Sequence, residues 1–73
     1  MATHTLDCKG LACPQPVLKV SIQANKMAPG DVLDVYADCS TFPDDIKSWC
    51  SRMGKTLVFC NNEAGVWHAQ IQF

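Results

Sequence analysis

Gly10-Leu11-Ala12-Cys13-Pro14-Gln15-Pro16-Val17-Leu18-Lys19-Val20 turns the chain from an extended segment into a helix, and the fold is read outward from it. Gly10 allows a tight turn. Two prolines one residue apart read as a helix start, because the first backbone N–H groups of a helix have no intrahelical partner for proline to forfeit. Val17, Val20, Ala24 and Met27, flanked by Leu18 and Ile22, recur at helical spacing and predict a helix from Pro14 to about Met27. Cys13 then falls at or next to the N-cap. A thiol there feels the positive end of the helix dipole and nearby unpaired amides, which favour the thiolate, the nucleophilic form. Since the prolines bring no N–H, the amides of Cys13, Gln15 and Val17 are expected to form a small anion nest around the sulfur. Gly10, Pro14, Gln15 and Pro16 support that site. A free cysteine is more often a small buried hydrophobe; the glycine and the proline pair turn this one toward function.

Upstream, His4 to Cys8 reads as a short strand. Downstream, Pro29-Gly30-Asp31 is a turn, and Val32 to Ala37 alternates as a strand, with Leu33, Val35 and Ala37 on one face. A second helix is expected to start near Ser40-Thr41, with Thr41 and Asp44 resembling a capping box and Pro43 in the first turn. Its apolar stripe is Phe42, Ile46, Trp49, Cys50 and Met53, and Gly54 suits the C′ position. Thr56 to Cys60 is a β-branched and aromatic strand, Asn61 to Gly65 a hairpin turn, and Val66 to Phe73 a strand with Trp67, Ala69, Ile71 and Phe73 inward. The order β-α-β-α-β-β predicts an α/β two-layer sandwich, one sheet covered on one face by two helices. The first two strands should be parallel with a right-handed crossover. Both helix N-termini then lie at one end of the sheet, which gathers Cys8, Cys13 and Cys39.

The 73 residues are expected to form one small domain, burying about 60% of its unfolded surface. With 48% hydrophobic and 18% charged residues, the composition is that of a folded chain. A net charge of −1 gives no electrostatic case for nucleic acid, and Lys9, Lys19, Lys26, Lys47, Arg52 and Lys55 are dispersed along the chain. No apolar stretch could cross a membrane. Met1 to Asp7 lacks the basic and apolar regions of a secretory signal, so a cytoplasmic location and reduced thiols are expected. Five cysteines, an odd number, argue for chemistry or packing over a disulfide framework. Cys39, at a strand end, is a second thiol that could resolve a sulfur adduct on Cys13 or bridge to it reversibly, or simply be a small residue there; a bridge needs Cα atoms within about 7 Å. Cys8 and Cys50 are expected to be buried, Cys60 is ambiguous, and His4 and His68 are expected to be solvated. No C-x2-C pair is present, so neither a metal nor a cofactor is expected.

Leu6-Asp7-Cys8-Lys9-Gly10-Leu11-Ala12-Cys13-Pro14-Gln15-Pro16 resembles the signature of the TusA/SirA/YedF family, small sulfur carriers with a C-P-x-P motif. Met27-Ala28-Pro29-Gly30-Asp31, Asp38 and Asp45-Ile46 are similar to later family positions. The resemblance implies two helices on a mixed four-stranded sheet and a sulfane sulfur carried as a persulfide on Cys13. It implies a sulfur-donor protein, a cysteine desulfurase or a rhodanese-like protein, and a sulfur-acceptor protein. Acceptors in the family serve tRNA thiolation, molybdenum-cofactor assembly or sulfur oxidation. Gln15 stands where the tRNA-thiolation type has an acidic residue. A monomer is expected. Two other functions fit the same residues: a non-catalytic regulatory or partner-binding module, and a thiol redox switch using Cys13 with Cys39.

Overall fold

The computed structural model describes residues 2–73. The elements run β1 (Thr3–Cys8), α1 (Gln15–Ala24), β2 (Val32–Ala37), α2 (Phe42–Met53), β3 (Thr56–Glu63) and β4 (Val66–Gln72). The strands form one sheet in the order β1-β2-β4-β3. β1 runs parallel to β2, and β4 is antiparallel to both β2 and β3, so the sheet is mixed. β4 returns to fill the slot beside β2, leaving β3 at the edge. Leu33, Val35 and Ala37 pair with Ile71, Ala69 and Trp67 on the face that the helices cover. Against them pack Val17 and Val20 of α1 and Phe42, Ile46, Trp49 and Cys50 of α2.

α1 is shorter than its apolar spacing predicts. After Ala24 the amides of Asn25, Lys26 and Met27 bond to carbonyls three residues back, at 3.2, 2.9 and 3.2 Å. The tightened turn keeps Met27 on the core side although the α-helix has ended. Of the flanking apolar pair, Leu18 and Ile22 face solvent.

α2 runs from the Thr41 N-cap to Gly54, whose φ of +68° is the left-handed helix stop its position predicts. The capping box is not made. The Thr41 hydroxyl donates to the Asp45 carboxylate at 3.1 Å, one residue beyond Asp44. Asp44 and Asp45 still set negative charge in the first turn, where the dipole favours it.

β3 extends three residues beyond Cys60, because Asn61, Asn62 and Glu63 pair with His68, Trp67 and Val66 of β4. The turn is therefore only Ala64-Gly65, both at positive φ (54° and 84°). That is the pattern of a two-residue hairpin whose twist matches its strands. A bulge between Leu57 and Phe59 turns Val58 out to solvent.

Candidate functional site

β1 and β2 are parallel and each runs into a helix, so both strand-to-helix turns lie at one end of the sheet. The first carries Cys13 and the second Cys39. Their Cα atoms are 5.9 Å apart, inside the range a disulfide spans, and the structure joins the two sulfurs as a disulfide. Both residues are half-buried. The third thiol gathered at this end, Cys8, is fully buried, its Sγ 3.9 Å from the Pro16 carbonyl. Burial raises its pKa, against a smaller pull downward from Lys19.

The loop bearing Cys13 is pinned from both sides. Gly10, at φ +83°, makes the turn, and its N–H reaches both oxygens of the Asp38 carboxylate at 3.1 Å. Asp38 immediately precedes Cys39, so this bond clasps one turn to the other. On the helix side Pro16 is buried at the second helical position, fixing where α1 begins. Gln15 is exposed.

Cys13 stands next to the N-cap, which is Pro14, as the sequence predicts. One detail differs. The anion nest loses a member, because the Gln15 N–H donates to the Ala12 carbonyl at 2.9 Å. A proline N-cap cannot cap with its side chain, so the chain closes a local turn with that amide instead.

Cys39 has its own surroundings. Its carbonyl accepts the Phe42 N–H at 3.1 Å, tying it to the start of α2. Its Sγ lies 3.6 Å from the Thr41 hydroxyl oxygen, and that hydroxyl donates to Asp45. Sulfur, hydroxyl and carboxylate thus form a short chain. Asp38, Thr41 and Asp45 had no site role in the sequence reading. The clasp joins positions 28 residues apart, for which no local pattern exists, and the Thr41 to Asp45 spacing looks like ordinary helix capping.

Cys50 is buried in the core, where desolvation, with a smaller contribution from Cys60, pushes its thiol to about 11. Cys60 faces the covered side opposite Ala69 and is also raised by burial. The histidines are not freely solvated. His68 stacks on Tyr36 with ring centroids 4.3 Å apart, lies T-shaped to Phe59 with centroids 5.0 Å apart, and sets Nε2 3.0 Å from Asp34. Gln70 donates to the same Asp34 oxygen at 3.2 Å. This array lies on the sheet face opposite the helices, and its register comes from β2–β4 pairing between strands that are not consecutive. His4 lies 3.4 Å from the Asp31 carboxylate. Among the described residues, no helix is long and apolar enough to cross a membrane.

With this geometry in place, three comparisons bear on the chain. The profile of the family described as Sulfurtransferase TusA matches residues 4–73. Two Neisseria meningitidis proteins, from serogroups A and B, are provisionally named as sulfur carrier proteins; each is 35% identical over 72 residues, covering 99% of this chain and 97% of its own. A crystal structure of a SirA-like protein from Desulfitobacterium hafniense superposes with a TM-score of 0.81 over 93% of both chains, at 23% identity, and shows that the fold is shared.

Proposed function

We propose that this chain, which belongs to the sulfurtransferase TusA family, is a sulfur carrier that holds sulfane sulfur as a persulfide on Cys13 and relays it to an acceptor protein. The observation that supports this reading best is where the proline-flanked thiol sits. Cys13 is half-buried at the start of α1, in a turn anchored by buried Pro16 and by the Gly10–Asp38 clasp. Cys8 and Cys50, by contrast, are enclosed in the core.

Reduction of the bridge to Cys39 frees the thiol for loading. The Cys13 thiolate attacks the terminal sulfur of a donor persulfide, a new S–S bond forms, and the donor thiolate leaves. Acceptor thiolate then attacks the terminal sulfur now on Cys13, and the Cys13 thiolate leaves. Each half is thiol–disulfide exchange on a persulfide, set by thiolate fraction and access. The positive end of α1 lies one residue beyond Cys13 and favours its ionised form. The donor is a cysteine desulfurase or a rhodanese-like protein. The carrier works as a monomer in the cytoplasm, without a cofactor and without touching nucleic acid.

The test is intact mass of the reduced protein after incubation with a cysteine desulfurase plus cysteine, and separately with thiosulfate or tetrathionate, beside Cys13→Ser. A gain of one sulfur, or of a larger sulfur oxyanion fragment, that disappears in Cys13→Ser is expected. Neither an adduct nor conversion to the Cys13–Cys39 disulfide with any donor, on protein folded and reduced at the start, overturns the reading in favour of a partner-binding module. The Cys13–Cys39 pairing favours one second reading, a thiol redox switch. Under it, a partner would distinguish the bridged from the reduced protein while neither form takes up sulfur.

A further inference from the structure

We propose that Cys39 is a resolving thiol, which attacks the Cys13 persulfide within the same chain, expels the carried sulfur as sulfide and leaves the Cys13–Cys39 disulfide as the spent form. The inference rests on the reading that Cys13 is loaded, and adds to it a second fate for the sulfur.

Three observations carry it. The fold places the two sulfurs in bonding register, with Cα atoms 5.9 Å apart. The clasp from Asp38 to the Gly10 amide holds the two turns together on either side of that pair. Cys39 also has a route for its proton. Its Sγ lies 3.6 Å from the Thr41 hydroxyl oxygen, and that hydroxyl donates to the half-buried Asp45 carboxylate at 3.1 Å, so a thiol formed there by reduction is placed to give its proton to the Thr41 oxygen.

The step balances without an outside oxidant. The Cys39 sulfur bonds to Cys13 Sγ, and the bond from Cys13 Sγ to the terminal sulfur breaks. Its electron pair leaves with the terminal sulfur, which is reduced to sulfide as the Cys39 thiol is oxidised to the disulfide level. The Cys39 proton passes through Thr41 to Asp45 and on to solvent. In sum, a persulfide and a thiol become a disulfide and hydrogen sulfide. A dithiol reductant then reopens the bridge for another round. A protein acceptor competes with this internal attack, so sulfur is delivered when an acceptor is docked and shed as sulfide when none is.

The experiment loads reduced protein with inorganic polysulfide, removes the excess, and follows sulfide release, free thiols and intact mass together. The wild-type chain should release about one sulfide per loaded persulfide as the Cys13–Cys39 disulfide forms. Cys39→Ser and Cys39→Ala should keep the persulfide roughly tenfold longer or more, as expected when a preoriented intramolecular attack is removed. Thr41→Val should slow release with both thiols intact, and Thr41→Ser should restore it, which a purely structural role for the N-cap would not require. Equal persulfide lifetimes in wild type and both Cys39 variants, or sulfide release without the disulfide, overturn the inference while leaving the carrier reading intact. Failure of the Cys39 variants to load at all, when folded, overturns both.

Discussion

Asp38 and Gly10 show how much of the site depends on a single polar contact. The Gly10 N–H has a carboxylate for its partner, and the φ of +83° at Gly10 is one an L side chain adopts only with strain. Replacing Asp38 with Ala should cost about 1 kcal/mol, a charge-assisted bond discounted for its exposure. Gly10→Ala should cost about 1 kcal/mol through backbone strain alone. Urea unfolding checks both, and an unchanged midpoint in either variant would mean that the turn does not rely on that residue. The same scale governs thiol reactivity. In the reduced native protein, Cys13 and Cys39 should alkylate with iodoacetamide well before Cys8 and Cys50, which are buried and whose thiols burial raises. Peptide mapping at successive times gives the order, and early labelling of Cys50 would contradict the core placement. Cys13 was legible in the sequence because glycine and proline report backbone directly. The clasp made by Asp38 was not, because its partner lies 28 residues away along the chain.

Elements were legible where periodicity and punctuation agree. β2 is found where its alternation places it, and α2 stops at Gly54 as the apolar stripe indicates. The misreadings fall where competing hydrogen bonds decide. α1 ends early because its last amides take carbonyls three residues back, leaving the apolar period intact. The β3–β4 hairpin turn is narrower than the sequence predicts: Asn61 and Asn62 are turn formers by propensity, yet cross-strand pairing with β4 outweighs that preference. The observed two-residue turn yields a prediction. Ala64 sits at φ 54°, in a turn type that favours Asn or Gly at that position. Ala64→Asn should therefore raise stability by roughly 0.5–1 kcal/mol by relieving the strained residue. A higher urea midpoint with an unchanged slope is the expected result; no gain would show that the turn accommodates alanine without strain.

At the scale of the molecule, the topology closes the fold around titratable groups whose proton affinities make stability depend on pH at both ends. On the acid side, Asp31 receives the amides of Ala28 and Ala2 at 3.0 Å each, tying the start of β1 to the turn before β2. Those backbone bonds, Ala28's first, hold its carboxyl below the usual 3.8. A depressed carboxylate contributes stability above its unfolded value and loses it as pH falls through the folded one, so this clasp weakens as pH falls below about 3.8. On the alkaline side the sign is reversed. Cys50 lies 2% exposed between α2 and the sheet, and desolvation lifts its thiol from 9.0 to about 11. Between those values the folded chain keeps a proton that the unfolded chain has released, so stability is full below about pH 9 and falls as pH rises toward 11. The loss is on the order of 2 kcal/mol, the worth of holding one proton across that interval. Urea midpoints of reduced protein taken from pH 8 to about 11 should fall, with buried Cys8 adding to the slope in the same direction. Cys50→Ala starts lower, because a core side chain has been cut back, but should lose less with rising pH than the parent. A parallel decline in parent and variant would place the alkaline sensitivity elsewhere, and would mean that the core around Cys50 admits the thiolate without penalty.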